Sequence, residues 1–380
     1  MKVQHIKWIG LLTAAAWLVI LPAVGFGEEY NWHSLSGPAD TLSLPPCEPS
    51  CVILYPWTYD NVALLESYFV EQSEMSIAVN PNVDSILMAG ANTVSGPVAS
   101  RTFNQGTYWS FNESLSWTGN NDAPPTELAG WDPTVGIAGM KYWFTYVHIG
   151  TEGTKVRVAR GNTPGNWPNS WTVPNTAQPD KPHMAVDGVY GGPYVAYVEY
   201  VGYPNAAPKK IDFSKFDSAA GVMTFPITLS PPVEPGSPRR FQGPNVAVGS
   251  SGYVYVAWAV YDSGMGDESV GIKHETSFGF ARLTNSGTTI DLRLDSIPGL
   301  AVRGILGPLK PGQISVNSFP SMAVARSGNW YGSIYIVWAD RRSPDSTPDI
   351  YLTRSRDLGA NWSAPICVND EGWGTDQWMP

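Results

Sequence analysis

The chain has 380 residues with 43% hydrophobic, 12% aromatic and only 15% charged side chains, and a formal net charge of −10. An acidic chain with no basic cluster has little electrostatic pull toward nucleic acid or anionic lipid. Abundant Gly (38), Pro (33), Trp (16) and Tyr (18) argue against a helical protein and for short strands joined by many turns.

In chain order, residues 1–27 come first: Lys2 and Lys7, an apolar stretch from Ile9 to Val24, then small residues at Ala23, Gly25 and Gly27. This is the pattern of a cleaved secretory signal, so the protein is expected to be secreted or displayed at the cell surface, with no stable membrane span after cleavage. Cleavage removes Lys2 and Lys7 and no acid, taking the charge from −10 to −12. Residues 28–65 read as an irregular Pro-rich entry segment. Within it Cys47 and Cys51 could close a small loop in an oxidising compartment, Cys367 has no obvious partner, and the spacing is not a zinc signature.

From residue 66 to 380 the sequence repeats. Five segments pair two short apolar runs across a Gly- or Asn-containing turn: "MSIAVNPNVDSILMAGAN" from Met75, "DPTVGIAGMKYWFTYVHIG" from Asp132, "KPHMAVDGVYGGPYVAYVEY" from Lys181, "GPNVAVGSSGYVYVAWAVYD" from Gly243 and "FPSMAVARSGNWYGSIYIVWADRR" from Phe319. Each predicts a β-hairpin. Counted from Ser76, Pro133, Pro182, Pro244 and Pro320, a second motif places its glycine 30 to 43 residues on, at Gly106, Gly165, Gly221, Gly287 and Gly359. A repeat of this size with four strands is a β-propeller blade. The closing "DQWMP" reads like the opening of another repeat, so a sixth blade is expected beyond Pro380.

The second motif is sharpest at Ser355, Asp357, Gly359 and Trp362, spaced Ser-x-Asp-x-Gly-x-x-Trp; Thr102, Asn104, Gly106 and Trp109 repeat it with Asn for Asp, and Asn285 and Gly287 keep part of it. It resembles the Asp-box, or BNR, repeat of the sialidase-like propellers. That resemblance implies an all-β, sialidase-like propeller of four-stranded blades, six when complete and about five here. It also implies that these turns are structural, which suits their chemistry: Asp357 can accept bonds from its own turn, Gly359 permits positive φ and Trp362 can cover the hairpin.

Chemistry is therefore expected on the opposite rim, from the loops before strand 1 and between strands 2 and 3 of each blade. That rim would hold Gln72 and Glu74, Trp131 and Asp132, Asp180 and Lys181, Arg239, Arg240 and Gln242, Tyr261 and Asp262, and Asp340, Arg341 and Arg342. By the resemblance, Glu74, Asp132, Asp340 and Tyr261 are candidates for catalysis, and Arg239, Arg240, Arg341 and Arg342 for holding a sugar carboxylate. The Arg-Ile-Pro of a first sialidase blade is absent. No cofactor or metal signature is present, although Asp340, Asp345 and Asp349 could hold calcium; His148 and His183 read as structural. The expected function is glycan binding with sialidase-type hydrolysis by a monomer. The alternative is a non-catalytic carbohydrate- or protein-binding adhesion propeller.

Overall fold

In the computed structural model the described residues are 72–380, less 84, 94–95, 103–109, 113–128, 151–152, 163–166, 176, 190, 202–206, 235–236, 263–274, 306–315, 342–346, 370–375 and 379. The signal, the entry segment, Cys47, Cys51 and Arg342 lie outside them. The described residues form two compact units. One spans Val62–Met265 and Thr276–Ile297; the other includes Pro298–Pro380 and Glu275.

The first unit holds four antiparallel up-and-down sheets. Sheet one is β1 (Gln72–Val79), β2 (Leu87–Thr93), β3 (Gly96–Thr102) and β4 (Ser110–Asn112). Sheet two is β5 (Ala129–Ala138), β6 (Lys141–Gly150), β7 (Gly153–Gly161) and β8 (Asn169–Val173). Sheet three is β9 (Gln178–Asp187), β10 (Gly191–Val201) and β11 (Ala207–Asp217), with the short β12 (Val222–Met223) and β13 (Ile227–Thr228) both pairing β11. Sheet four is β14 (Arg240–Val248), β15 (Val254–Tyr261), β16 (Ser277–Thr284) and β17 (Thr289–Leu294). Successive first strands pack together, β1 on β5, β5 on β9 and β9 on β14. The cores fill the seams between sheets. Val135, Tyr142, Phe144 and Trp167 lie between the first two, Trp143, Met184, Tyr197 and Phe216 between the second and third, and Phe213, Phe241 and Trp258 between the third and fourth. Strand β15, "VYVAWAVY", is buried along its whole length, as a strand covered on both faces must be.

The second unit holds the fifth sheet, β18 (Ser321–Val324), β19 (Ile334–Asp340), β20 (Asp349–Ser355) and β21 (Ile366–Cys367), around a core of Ile305, Val316, Val337, Ala339 and Ile350. Cys367 is disulfide-bonded, although the sequence offered it no obvious partner.

The Ser355–Trp362 turn joins the third and fourth strands of this sheet and closes on itself. The Ser355 hydroxyl donates to Asp357 Oδ1 (2.9 Å) and accepts the Gly359 N–H (2.8 Å). Asn361 donates its backbone N–H (2.8 Å) and its side-chain amide (2.7 Å) to the Asp357 carboxylate, and Trp362 Nε1 donates to the Gly359 carbonyl (3.0 Å). Gly359 has φ 91°, a conformation that glycine adopts without a Cβ clash. Asp357 is thus consumed by its own turn. The related turn in sheet four has Asn285, Ser286 and Gly287 all at positive φ, and Thr102 ends β3; Asn104, Gly106 and Trp109 lie outside the described residues.

Candidate functional site

One irregularity recurs at the same level of all four sheets of the first unit. The register of the first strand breaks between Ser73 and Ser76, Trp131 and Thr134, Asp180 and His183, and Gln242 and Asn245. At each break two residues face one on the second strand: Glu74–Met75 face Ala91, Asp132–Pro133 face Tyr146, Lys181–Pro182 face Tyr197, and Gly243–Pro244 face Trp258. These are β-bulges, which re-aim a side chain at the edge of a sheet. The first residue of the pair has positive φ in three of them: Asp132 (58°), Lys181 (48°) and Gly243 (54°). Glycine is the residue that fits such a bulge, and a side chain there costs about 1–2 kcal/mol. Sheet four follows that rule. Sheets two and three place an acid and a base there instead, and such strained residues cluster at functional sites.

The two strained side chains meet. Lys181 Nζ lies 3.0 Å from Asp132 Oδ1, and the Lys181 backbone N–H donates to Asp132 Oδ2 (3.3 Å). The Asp132 N–H donates to Asn92 Oδ1 at the end of β2 (2.9 Å), and Thr134 Oγ1 to the Pro182 carbonyl (2.9 Å), so sheets one to three are tied at this level. Asp132 is only 9% exposed.

Asp180 completes the group. Its carboxyl hydrogen-bonds to Asp132 and to the Tyr200 hydroxyl. Burial, then the Asp132 charge, push it well above the usual carboxylate range, up to about 6, against the opposing pull of Lys181 and Tyr200. Gln242 of sheet four donates to the Tyr200 hydroxyl (2.6 Å). Two carboxyls that share a hydrogen bond hold one proton between them. The Lys181 ammonium pairs with Asp132, and the raised Asp180 keeps its proton up to about pH 6, so the two acids have different surroundings and can take separate roles. Trp131, next to Asp132, leaves 48% of its surface exposed.

His183, just below, accepts the Val246 N–H at Nδ1 (3.0 Å) and lies 3.1 Å from the Asn245 amide at Nε2; burial lowers its pKa to about 4, and it bridges sheets three and four as a neutral ring.

The candidates singled out from sequence divide accordingly. Asp132 lies with Asp180 and Lys181, and Gln242 reaches the same group through Tyr200. Glu74 occupies the matching bulge of sheet one, with its side chain outside the described residues. Tyr261 is fully buried at the end of β15, opposite Arg240. Arg239 pairs with Asp262 (3.1 Å), donates to the Asp295 carbonyl (3.1 Å) and lies over the Phe241 ring (5.7 Å). Arg240 donates to the carbonyls of Ser237 (2.6 Å) and Arg239 (2.7 Å). Asp340 is fully buried and accepts Trp338 Nε1 (2.9 Å) and the Arg303 N–H (3.3 Å); the Arg341 N–H donates to the Arg303 carbonyl (3.1 Å). Asn92 and Tyr200 were not anticipated. A signal for Tyr200 existed, since it stands three residues past the bulge partner Tyr197, as Tyr261 stands three past Trp258. Among the described residues no group of three or more His, Cys, Asp or Glu is arranged to hold a metal ion.

No family model matches this sequence, and no curated protein matches it. Solved structures do match its fold. The Hadza microbial sialidase Hz136 aligns with 80% of this chain at 12% identity and a TM-score of 0.51; the chain spans 59% of that protein. A point mutant of the α-L-arabinofuranosidase Arb93A from Fusarium graminearum, in complex with an iminosugar inhibitor, aligns with 78% of this chain and 80% of its own at 10% identity and a TM-score of 0.51. A thermostable family-43 glycoside hydrolase aligns with 81% of this chain and 95% of its own at 16% identity, with a TM-score of 0.48. The fold is all-β, of the β-propeller kind that these glycoside hydrolases share.

Proposed function

We propose that this chain is an exported, glycan-directed propeller that cleaves glycosidic bonds, with Asp180 as the proton donor and Asp132 as the charged partner that keeps it protonated. One observation carries this reading: the Asp180 carboxyl, raised by burial to about 6, hydrogen-bonds to Asp132, which with Lys181 occupies strained bulges on one rim. A carboxyl that keeps its proton to about pH 6 can protonate a leaving-group oxygen. Carboxyls in hydrogen-bond contact cannot flank a sugar from opposite sides, where such pairs stand roughly 5 Å or more apart. The second carboxylate must come from elsewhere, and Glu74, in the matching bulge of sheet one, is the proposed one. The exposed Trp131 offers a ring face for a sugar. A fold in common with sialidase and arabinofuranosidase propellers supports a glycoside as substrate and sets the first probes.

The test uses the full chain with chromogenic sialosides, α-L-arabinofuranosides and a panel of other glycosides. Turnover of one of them should fall by about a hundredfold or more in Asp180→Asn, Asp132→Asn and Glu74→Gln. Turnover untouched by Asp180→Asn would overturn the assignment. Glycan binding without turnover, lost in Trp131→Ala, would leave a carbohydrate-binding propeller, the alternative that the exposed Trp131 favours.

A further inference from the structure

Asp180 and Gln242 occupy the same place in neighbouring sheets, each just before the first residue of its bulge, and both reach one hydroxyl, that of Tyr200 on β10. The repeat does not demand a tyrosine there. Three residues past the bulge partner stand Ile149 in sheet two and the fully buried Tyr261 in sheet four.

The donors fix the direction of these bonds. The Gln242 amide is oriented by the Gly243 N–H, which donates to Oε1 (3.3 Å), so Nε2 is left to donate to the Tyr200 oxygen (2.6 Å). A phenol has one O–H, and with its oxygen accepting from Gln242 that O–H goes to Asp180. At the far end Lys181 Nζ, which can only donate, holds Asp132 Oδ1 (3.0 Å). Both ends of the row thus donate inward, and the Asp180–Asp132 hydrogen bond needs a proton of its own. A protonated carboxyl accepts best at its carbonyl oxygen, so the Tyr200 bond leaves the Asp180 proton on the other oxygen. The charged or titratable groups acting on Asp180 are Asp132 of β5, Lys181 of its own strand and Tyr200. Glu199, the acid of β10, pairs with Lys210 (2.7 Å), and β14 brings the neutral Gln242.

With Asp180 taken as the proton donor, we propose that Tyr200 is its positioning residue, held by Gln242 so that the hydroxyl fixes which Asp180 oxygen carries the proton and steadies the carboxylate once the proton has left. In that step the Asp180 O–H breaks, the proton bonds the leaving-group oxygen, and the electron pair of the glycosidic C–O bond stays with that oxygen. The new charge on Asp180 falls beside Asp132, and the Tyr200 bond strengthens as its acceptor becomes ionised.

Carbon NMR of the full chain, labelled at the aspartate carboxyls, reads the Asp180 titration midpoint without any substrate, the signal being assigned by its loss in Asp180→Asn. Removing a hydrogen bond that favours the charged form should raise that midpoint from about 6 by about one pH unit in Tyr200→Phe. Gln242→Leu, which frees the O–H to turn away, should move it the same way by less. The alkaline limb of glycoside turnover should follow both shifts. A tyrosine that only packs would lower Tm in Tyr200→Phe and leave the midpoint where it is; that outcome would overturn the role of Tyr200, and a midpoint unmoved in Gln242→Leu would overturn that of Gln242. A limb that stays put while the midpoint moves would separate Asp180 from proton donation. Absence of turnover on every glycoside would remove the proton-donor reading, while the titration would still decide whether Tyr200 governs Asp180.

Discussion

Replacing Asp132 by glycine and, separately, by alanine tests whether its strain is kept for function. Both variants lose the carboxylate and the contact with Lys181, a pair whose side chains are 9% and 26% exposed and which contributes on the order of 1 kcal/mol. They differ in backbone. At φ 58° alanine keeps the left-handed penalty of about 1–2 kcal/mol, which glycine removes. Glycine loses roughly 0.5–1 kcal/mol to its freer unfolded chain. The glycine variant should therefore be the more stable by about 0.5–1 kcal/mol, the reverse of the usual order inside a strand. It should also melt near the wild type, because relieved strain offsets the lost pair. For a unit of this size the difference between the variants is roughly 1–4 °C in Tm. Urea unfolding and thermal melts measure it, and the glycoside assay runs beside them. An alanine variant as stable as the glycine one would refute the strain argument. A glycine variant with full turnover would refute the role of the side chain.

Activity that needs the Asp180 proton should fall as pH rises through about 6, and Asp180→Asn should lack that limb. A carboxyl raised in the folded state also favours folding at low pH, so its contribution is lost between about 4 and 6 as pH rises, and melts of Asp180→Asn should not show that loss. His183 acts with the opposite sign. Its pKa is lowered to about 4, so stability falls as pH drops from 6.5 toward 4, and His183→Gln, which keeps an acceptor for the Val246 N–H, should flatten that part of the stability curve. Gly279→Ala should lower Tm sharply: its Cβ would collide with the ring of the fully buried Trp258, an overpacking that costs about 1–3 kcal/mol or more.

The hairpins were legible because each is written twice, in alternating apolar residues and in its turn. The Ser355–Trp362 turn was legible because its bonds are local. The rim was legible only in part. Asp132, Asp180 and Lys181 lie where the repeat put them, but a positive φ leaves no mark when the residue is Asp or Lys, and the "DP" and "KP" pairs read as ordinary strand starts. Counting from Ser76 also slipped by one, since the bulges align Met75 with Pro133. Arg239 and Arg240 looked free to hold a ligand, but Asp262 pairs with Arg239 and three backbone carbonyls accept from the two guanidiniums. Tyr200 and Asp180 stand on paired strands of sheet three, and Arg239 and Asp262 flank the paired Arg240 and Tyr261 of sheet four, so these contacts are set by strand register, which residue order alone does not give.

The recurring bulge has an evolutionary consequence. On both sides of each doublet the ladder runs in antiparallel register, so the first residue of the pair is a slot whose occupant can change without moving the strand. The four slots already hold Glu74, Asp132, Lys181 and Gly243, an acid, a second acid, a base and no side chain at all. Under the proposed function, single substitutions at these four addresses would change ligand preference while the packed seams beneath stay as they are, and a library varied only at these positions would sample new chemistries on an unchanged scaffold.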